Sequence, residues 1–152
     1  MTGPPSVLTF GEALVGYATT ENSLPDATEG RLLASMHDPE AIAAYYLSRG
    51  AQEVAVKLGA EGAQAWTANG RNARSQPVHV TAVDTVGAGD GFAAGYIAGH
   101  VKGASLQDRL NQAAAVGALV TTRRGDLTAM PSSEEVQQLL DVAPTMRVRT
   151  SG

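Results

Sequence analysis

The sequence of 152 residues contains no cysteine, which excludes disulfides, thiolate zinc sites and a cysteine nucleophile. Charge is sparse at 17% while hydrophobic residues reach 43%, a balance that argues for a globular domain and against disorder. Basic excess is also missing. With 11 Lys+Arg against 15 Asp+Glu the net charge is −4, so the basic face of a nucleic-acid binder is not expected. No apolar run approaches a membrane span, and Met1–Pro5 lacks the charged and apolar regions of a signal peptide. The expectation is a cytoplasmic protein with neither a nucleic-acid nor a membrane partner. Histidine occurs only at His37, His79 and His100, with no partner at metal-ligand spacing. Internal repeats and low-complexity tracts are absent.

What is present reads as an α/β chain. Val7–Phe10 is a buried-strand pattern, Gly11-Glu12 a turn, and Ala13–Tyr17 a second extended piece. Thr19–Glu29 has loop composition. Asp38-Pro39-Glu40 predicts a helix over Pro39–Arg49, closed by Gly50. Glu53–Leu58 alternates Val54, Val56 and Leu58 against Glu53, Ala55 and Lys57, the period of a strand. Gly59–Gly62 is a turn, Ala63–Thr67 a strand, Asn69-Gly70 a hairpin signal and Val78–Val83 a further strand. Three helices follow: Gly89–Lys102, Leu106–Arg123 capped by Ser105, and Glu134–Val142 after a Ser132/Glu135 box. Gly91, Gly95 and Gly99, at four-residue spacing, predict close helix packing in a core. Trp66 reads as core.

Asp84-Thr85-Val86-Gly87-Ala88-Gly89-Asp90-Gly91 joins a strand to a helix with small residues that let a ligand approach the backbone. Successive amides at a helix N-terminus bind anions, and phosphate is the natural guest. Asp90 falls in the first turn, where the helix dipole favours negative charge. An acid beside a phosphate repels it, so a capping role alone explains Asp90 poorly. A base that takes a proton from an attacking hydroxyl explains it better. The segment is no Walker A loop, since no Gly-Lys-Ser/Thr follows. It is also a poor dinucleotide fingerprint, since Phe92 occupies the third glycine position. Taken without context, Gly-Ala-Gly-Asp reads first as a tight turn with a capping aspartate.

With Phe92-Ala93-Ala94-Gly95 the string resembles the C-terminal signature of the ribokinase-like (phosphofructokinase B) carbohydrate kinases. The resemblance extends to Val56–Gly62, similar to that family's ATP-contacting strand and turn. It also takes in Ala113–Ala118, Thr122–Gly125, Met130-Pro131 and Glu134–Val136, similar to its closing helix and exit. Val7–Val15 resembles the opening strand, most like that of 2-keto-3-deoxygluconate and fructose kinases. The resemblance implies a three-layer α/β sandwich of ribokinase type. It implies transfer of the ATP γ-phosphate to a sugar hydroxyl, with a small sugar or sugar acid as partner. It makes Asp90 the base and the amides of Gly87, Ala88, Gly89 and Asp90 an anion hole. ATP would be lined by Lys57, Leu58, Gly59, Ala60, Glu61, Gly62, Gly89, Asp90 and Ala114. Gly11, Glu12 and Asp90 would face substrate. A monovalent cation, K+, would lie near Asp84, Val86, Val120, Arg123 and Gly125, and Mg2+ would accompany ATP.

The sequence departs from that family in the middle. No Gly-Gly pair occurs, and no asparagine has Glu three residues later, so the sugar-holding and magnesium motifs are missing. Around Ala113 and Ala114, on the adenine side, relatives often carry Asn or His. The expected organisation is an opening strand and sugar-side remnant at 1–30, a junction at 31–37, an ATP-binding and catalytic half at 38–143, and a tail at 144–152. A parallel sheet buries both faces, so losing its middle units would expose apolar edges and favour a homo-oligomer. Three functions stay open: a carbohydrate kinase, a non-catalytic nucleotide-binding fragment of one, and a structural or regulatory partner.

Overall fold

The computed structural model describes residues 6–8, 17–19, 38–125 and 127–142. Gly11 and Glu12, the expected junction and the expected tail lie outside them. Strands β1 (Ser6–Leu8) and β2 (Tyr17–Thr19) pair antiparallel, with Val7 opposite Ala18.

Helix α1 (Pro39–Leu47) begins where its capping residues place it. The Asp38 carboxylate accepts the Glu40 and Ala41 amides at 3.2 and 3.3 Å, and Pro39 needs no acceptor at the first position. It stops two residues before the expected Arg49. Ser48 Oγ donates to the Tyr45 carbonyl at 2.8 Å, and Gly50 turns the chain at a φ of +97°.

Strands β3 (Glu53–Lys57), β4 (Ala63–Thr67) and β5 (Asn72–Ser75) form an antiparallel sheet in the order β3-β4-β5, with Ala55 opposite Ala65 and Ala65 opposite Ala73. The β4–β5 hairpin turns at Asn69-Gly70, as the sequence predicts. Between β3 and β4, a short 3-10 turn at Gly59–Glu61 leads to Gly62, with a φ of +91°. A Cβ on Gly62 would stand 2.8 Å from the Ser75 carbonyl oxygen, so both conformation and space require glycine there.

Helices α2 (Ala88–Val101) and α3 (Leu106–Thr121) pack against each other, and α4 (Ser133–Val142) lies on α3. The glycine spacing in α2 serves this contact. Cβ atoms on Gly91, Gly95 and Gly99 would stand 2.8 Å from Val120 Cγ2, 3.0 Å from Ala113 Cα and 2.5 Å from Arg109 Cβ. Ser105 caps α3, its Oγ accepting the Asp108 amide at 3.2 Å, and the Ser132/Glu135 box closes: Ser132 Oγ accepts the Glu135 amide at 3.2 Å and Glu135 Oε2 accepts the Ser132 amide at 2.8 Å.

The sheet is the middle of three layers. On one face Val54 and Val56 meet Ile42, Ala43 and Tyr46 of α1, with Trp66 packed alongside. On the other, Ala55, Ala63 and Ala65 meet Phe92 and Tyr96 of α2 and Leu106, Leu110 and Ala113 of α3. The expected alternation of β3 holds, with Val54 and Val56 on one face and Ala55 on the other. Glu53, Val54, Ala55 and Val56 are all buried, because helices cover both faces of the strand. The expected strand at Val78–Val83 does not form. Its pattern is present, but no neighbouring strand pairs with it among the described residues. The Val83 and Asp84 amides instead donate to the Thr121 carbonyl at 2.7 and 3.0 Å. The described strands pair antiparallel, so the parallel sheet assumed in arguing for exposed edges is not found among them.

Candidate functional site

The start of α2 is built differently from the other helix starts. Asp38, Ser105 and Ser132 use side chains to satisfy amides at their helices, whereas α2 begins on Gly87, with a φ of +79° and no side-chain cap. Asp84 shapes the approach, its Oδ1 accepting the Val86 amide at 3.0 Å, and the Ala88 amide donates to the Thr85 carbonyl at 3.3 Å. The first intrahelical bond runs from the Gly91 amide to the Gly87 carbonyl at 2.8 Å. Helix geometry therefore leaves the Gly89 and Asp90 amides without an acceptor inside the helix, directed out of its positive end.

Two contacts fix this turn. A Cβ on Gly117 would stand 3.0 Å from the Ala88 carbonyl oxygen, so α3 lies directly beneath it. From the sheet side, the ammonium of Lys57, the last residue of β3, reaches the turn. A Cβ on Gly89 would stand 2.6 Å from Lys57 Nζ. A cation thus lies beside two outward amides, and the exposed carboxylate of Asp90 occupies the same first turn. Such a site can hold a phosphate and keep a proton acceptor next to it.

The remaining predicted site residues fall into three places. Leu58, Gly59, Ala60, Glu61 and Gly62 form the turn after Lys57, with Leu58 half-buried against the α1 cluster and Ala60 and Glu61 exposed. Ala113 is fully buried and Ala114 half-buried in the α2–α3 core, so the expected adenine-side positions offer methyl groups and no polar atom. Val120 is fully buried, and its side chain would touch a Cβ on Gly87 at 3.5 Å. Arg123 is engaged by Glu135 of α4, and Gly125 turns at a φ of +110°. The Ser132 backbone amide and then the Arg123 guanidinium hold the Glu135 carboxyl below the usual range, against a smaller upward push from burial.

A buried polar cluster joins β3, α2 and α3, and no sequence motif announces it. Tyr96 Oη donates to Glu53 Oε1 at 2.6 Å, and Arg109 Nη2 pairs with Glu53 Oε2 at 3.1 Å. Arg109 Nη1 also meets His100 Nδ1, while Arg109 Nε is buried without a partner. Burial, then the Glu53 carboxylate, pushes the Tyr96 hydroxyl well above its ordinary range, so it stays a donor. One signal was legible. Arg109 falls inside the apolar stripe Leu106–Leu110–Ala113 of α3, where a charged residue requires a partner.

Among the described residues no group of three or more His, Asp or Glu could hold a metal ion, and no helix is long and apolar enough to cross a membrane. The model of the pfkB family carbohydrate kinases matches residues 17–133. The chain belongs to that family. It is 41% identical over 122 residues to a 2-dehydro-3-deoxygluconokinase of Bacillus subtilis, covering 80% of this chain and 38% of that one. A ribokinase II of E. coli in complex with ATP and Mg2+ is similar at a TM-score of 0.67 and 34% identity, over 76% of this chain and 37% of that chain. An Arabidopsis thaliana ribokinase complexed with ribose and ATP is similar at 0.65 and 31%, over 74% and 38%. This chain therefore has the ribokinase fold but spans well under half the length of the relatives it matches.

Proposed function

We propose that this pfkB chain carries the nucleotide and proton-acceptor half of an ATP-dependent sugar kinase acting on 2-keto-3-deoxygluconate or a related ketose. The observation that carries the proposal is the Gly87–Asp90 turn, where two outward amides and the Lys57 ammonium converge beside a free-standing carboxylate. The residues suit a phosphate, because glycine at position 89 lets the Lys57 ammonium come close to the helix start, where a side chain would collide with it. ATP, when bound, supplies the phosphoryl group. The Gly89 and Asp90 amides and Lys57 hold its negative oxygens and oppose the charge that develops in transfer, while the Ala88 amide of the expected anion hole is engaged by the Thr85 carbonyl. Asp90 accepts the proton of the sugar hydroxyl as its oxygen bonds to the γ-phosphorus and the bond to the β-phosphate oxygen breaks. The turn at Leu58–Gly62 and Ala114 line the nucleotide in this reading.

The described residues do not form a Mg2+ site of their own. Mg2+ would enter on the phosphates, as suits an ion that keeps few protein ligands. For K+, the meeting of Asp84 with the last turn of α3 at the Thr121 carbonyl supports a site near Asp84, Val86, Val120, Arg123 and Gly125, with backbone carbonyls as donors. Gly11 and Glu12, which would face the sugar, lie outside the described residues, and a homo-oligomer would cover sheet edges, β3 and β5 being the outer strands of the described sheet. A second reading, a nucleotide-binding fragment without turnover, is favoured by one fact: the chain covers 38% of its Bacillus subtilis relative.

Sugar-dependent ADP release with ATP and Mg2+, over a panel including 2-keto-3-deoxygluconate, tests both. Turnover lost in Asp90→Asn supports the kinase. Saturable ATP binding without turnover supports the fragment, and turnover that survives Asp90→Asn overturns the mechanism.

A further inference from the structure

The buried cluster and the phosphate turn lie at opposite ends of β3 and are bridged by the first half of α2. Glu53 opens β3 and Lys57 closes it, while the α2 turn lies against Lys57 and Tyr96, about two turns further along α2, meets Glu53. Strand and helix therefore run antiparallel and are pinned at two points. A helix sliding by one residue along the strand would move the turn by about 1.5 Å against the lysine. The apolar surface that the sheet offers to the helices is mostly alanine, Ala55 of β3 with Ala63 and Ala65 of β4, whose small, alike surfaces do little to oppose such a slide. The directional bonds are the ones that specify register. Tyr96 Oη and Arg109 take one oxygen each of the Glu53 carboxylate, and a slid helix would leave one unpaired in a buried place.

We infer that Glu53, Tyr96 and Arg109 are positioning residues for the phosphate site. They set the register of α2 on β3, and so hold the Gly89 and Asp90 amides at the distance from Lys57 that a bound phosphate needs. The inference rests on the proposed nucleotide site for its ligand, but not for its geometry. Arg109 locks the third element, α3, to the same carboxylate, and Gly99 lets it come close enough to do so.

Tyr96→Phe removes one hydroxyl and keeps the ring stacked near Phe92. Glu53→Gln is the second variant, keeping an acceptor for Tyr96 while losing the ion pair. Val136→Ala, in the separate cluster between α3 and α4, is the control for stability alone. Calorimetric ATP affinity is measured at a temperature where each protein is folded, and amide hydrogen exchange is followed over residues 57–62 and 87–92. The expected result is ATP binding weakened about tenfold or more in Tyr96→Phe, equivalent to about 1.4 kcal/mol, with faster exchange in both segments. Val136→Ala should lower the melting temperature and change neither. Wild-type affinity and exchange in Tyr96→Phe and Glu53→Gln would overturn the inference. If the wild type binds no ATP, the nucleotide site itself fails. The exchange data then decide the register role alone: faster exchange in both segments supports it, and unchanged exchange refutes it.

Discussion

Tyr96 and Glu53, 43 residues apart in the chain, are joined by a 2.6 Å hydrogen bond in which the buried phenol donates to the carboxylate. The same carboxylate holds Arg109, so one side chain of the sheet is shared by both helices above it. A carboxylate in such a place is tolerated because each oxygen has a donor.

Removing one partner should therefore cost more than removing the pair. Arg109→Met leaves the Glu53 charge buried and is expected to destabilise by about 3–5 kcal/mol. The double variant Glu53→Gln/Arg109→Met should recover part of that loss. Urea unfolding of the four proteins of the cycle checks it, and additive losses would show that the pair is not coupled.

Asp90→Asn should separate binding from chemistry. Removing a negative charge beside the phosphate site leaves ATP affinity unchanged or improved. Any sugar-dependent turnover should fall on the order of 100- to 10,000-fold. Affinity by calorimetry and rate by ADP release are read on the same preparation.

Gly89→Ala should spare the fold and harm the site. The atom a new methyl would meet is the far end of the Lys57 side chain, which can swing away. The melting temperature should hold while ATP affinity drops about tenfold; a fall in stability with intact affinity would contradict the arrangement.

Gly99→Ala gives a test of sign. Helix propensity alone predicts a gain of about 1 kcal/mol. The new Cβ, however, would stand 2.5 Å from Arg109 Cβ and 3.0 Å from Arg109 Cα, in the closest part of the α2–α3 contact. Overpacking of about 1–3 kcal/mol should win, so the variant is destabilised. Ala94→Gly, on the exposed face of α2, loses only the propensity.

Glu135 should make the attachment of α4 sensitive to acid. Its carboxyl is held low by the Ser132 backbone and by Arg123, so the unfolded chain takes up a proton more readily than the folded one. Stability is then present above the ordinary glutamate range and lost as pH falls through the lower, folded value. Glu135→Gln should flatten that part of a melting-temperature profile, and a profile unchanged by the substitution would count against the contact.

Local chemistry was readable and long-range pairing was not. Asp38, Ser105 and Ser132 announce their helices because a cap and its amides lie within three residues of each other. Asn69-Gly70 announces a hairpin for the same reason. The three glycines of α2 told of a close contact but not with which helix. Val78–Val83 has the pattern of a strand, yet a strand exists only where a neighbour offers an edge, and that is settled elsewhere in the chain. The period of β3 puts Glu53 on the same face as Ala55, but nothing near it in sequence reveals the helices that cover that face. At the site, the glycine turn and Asp90 stood out, and Lys57 entered only through the family resemblance. Its reach to Gly89 depends on how α2 lies against the sheet.

The glycine face of α2 also limits how the site can work. With Arg109, Ala113, Val116 and Val120 pressed against it, α2 has no slack toward α3, and the two helices form one stiff plate carrying the turn on its rim. If the proposed reaction runs at Asp90, the acceptor hydroxyl has to be brought to that rim, because α3 braces the rim from behind.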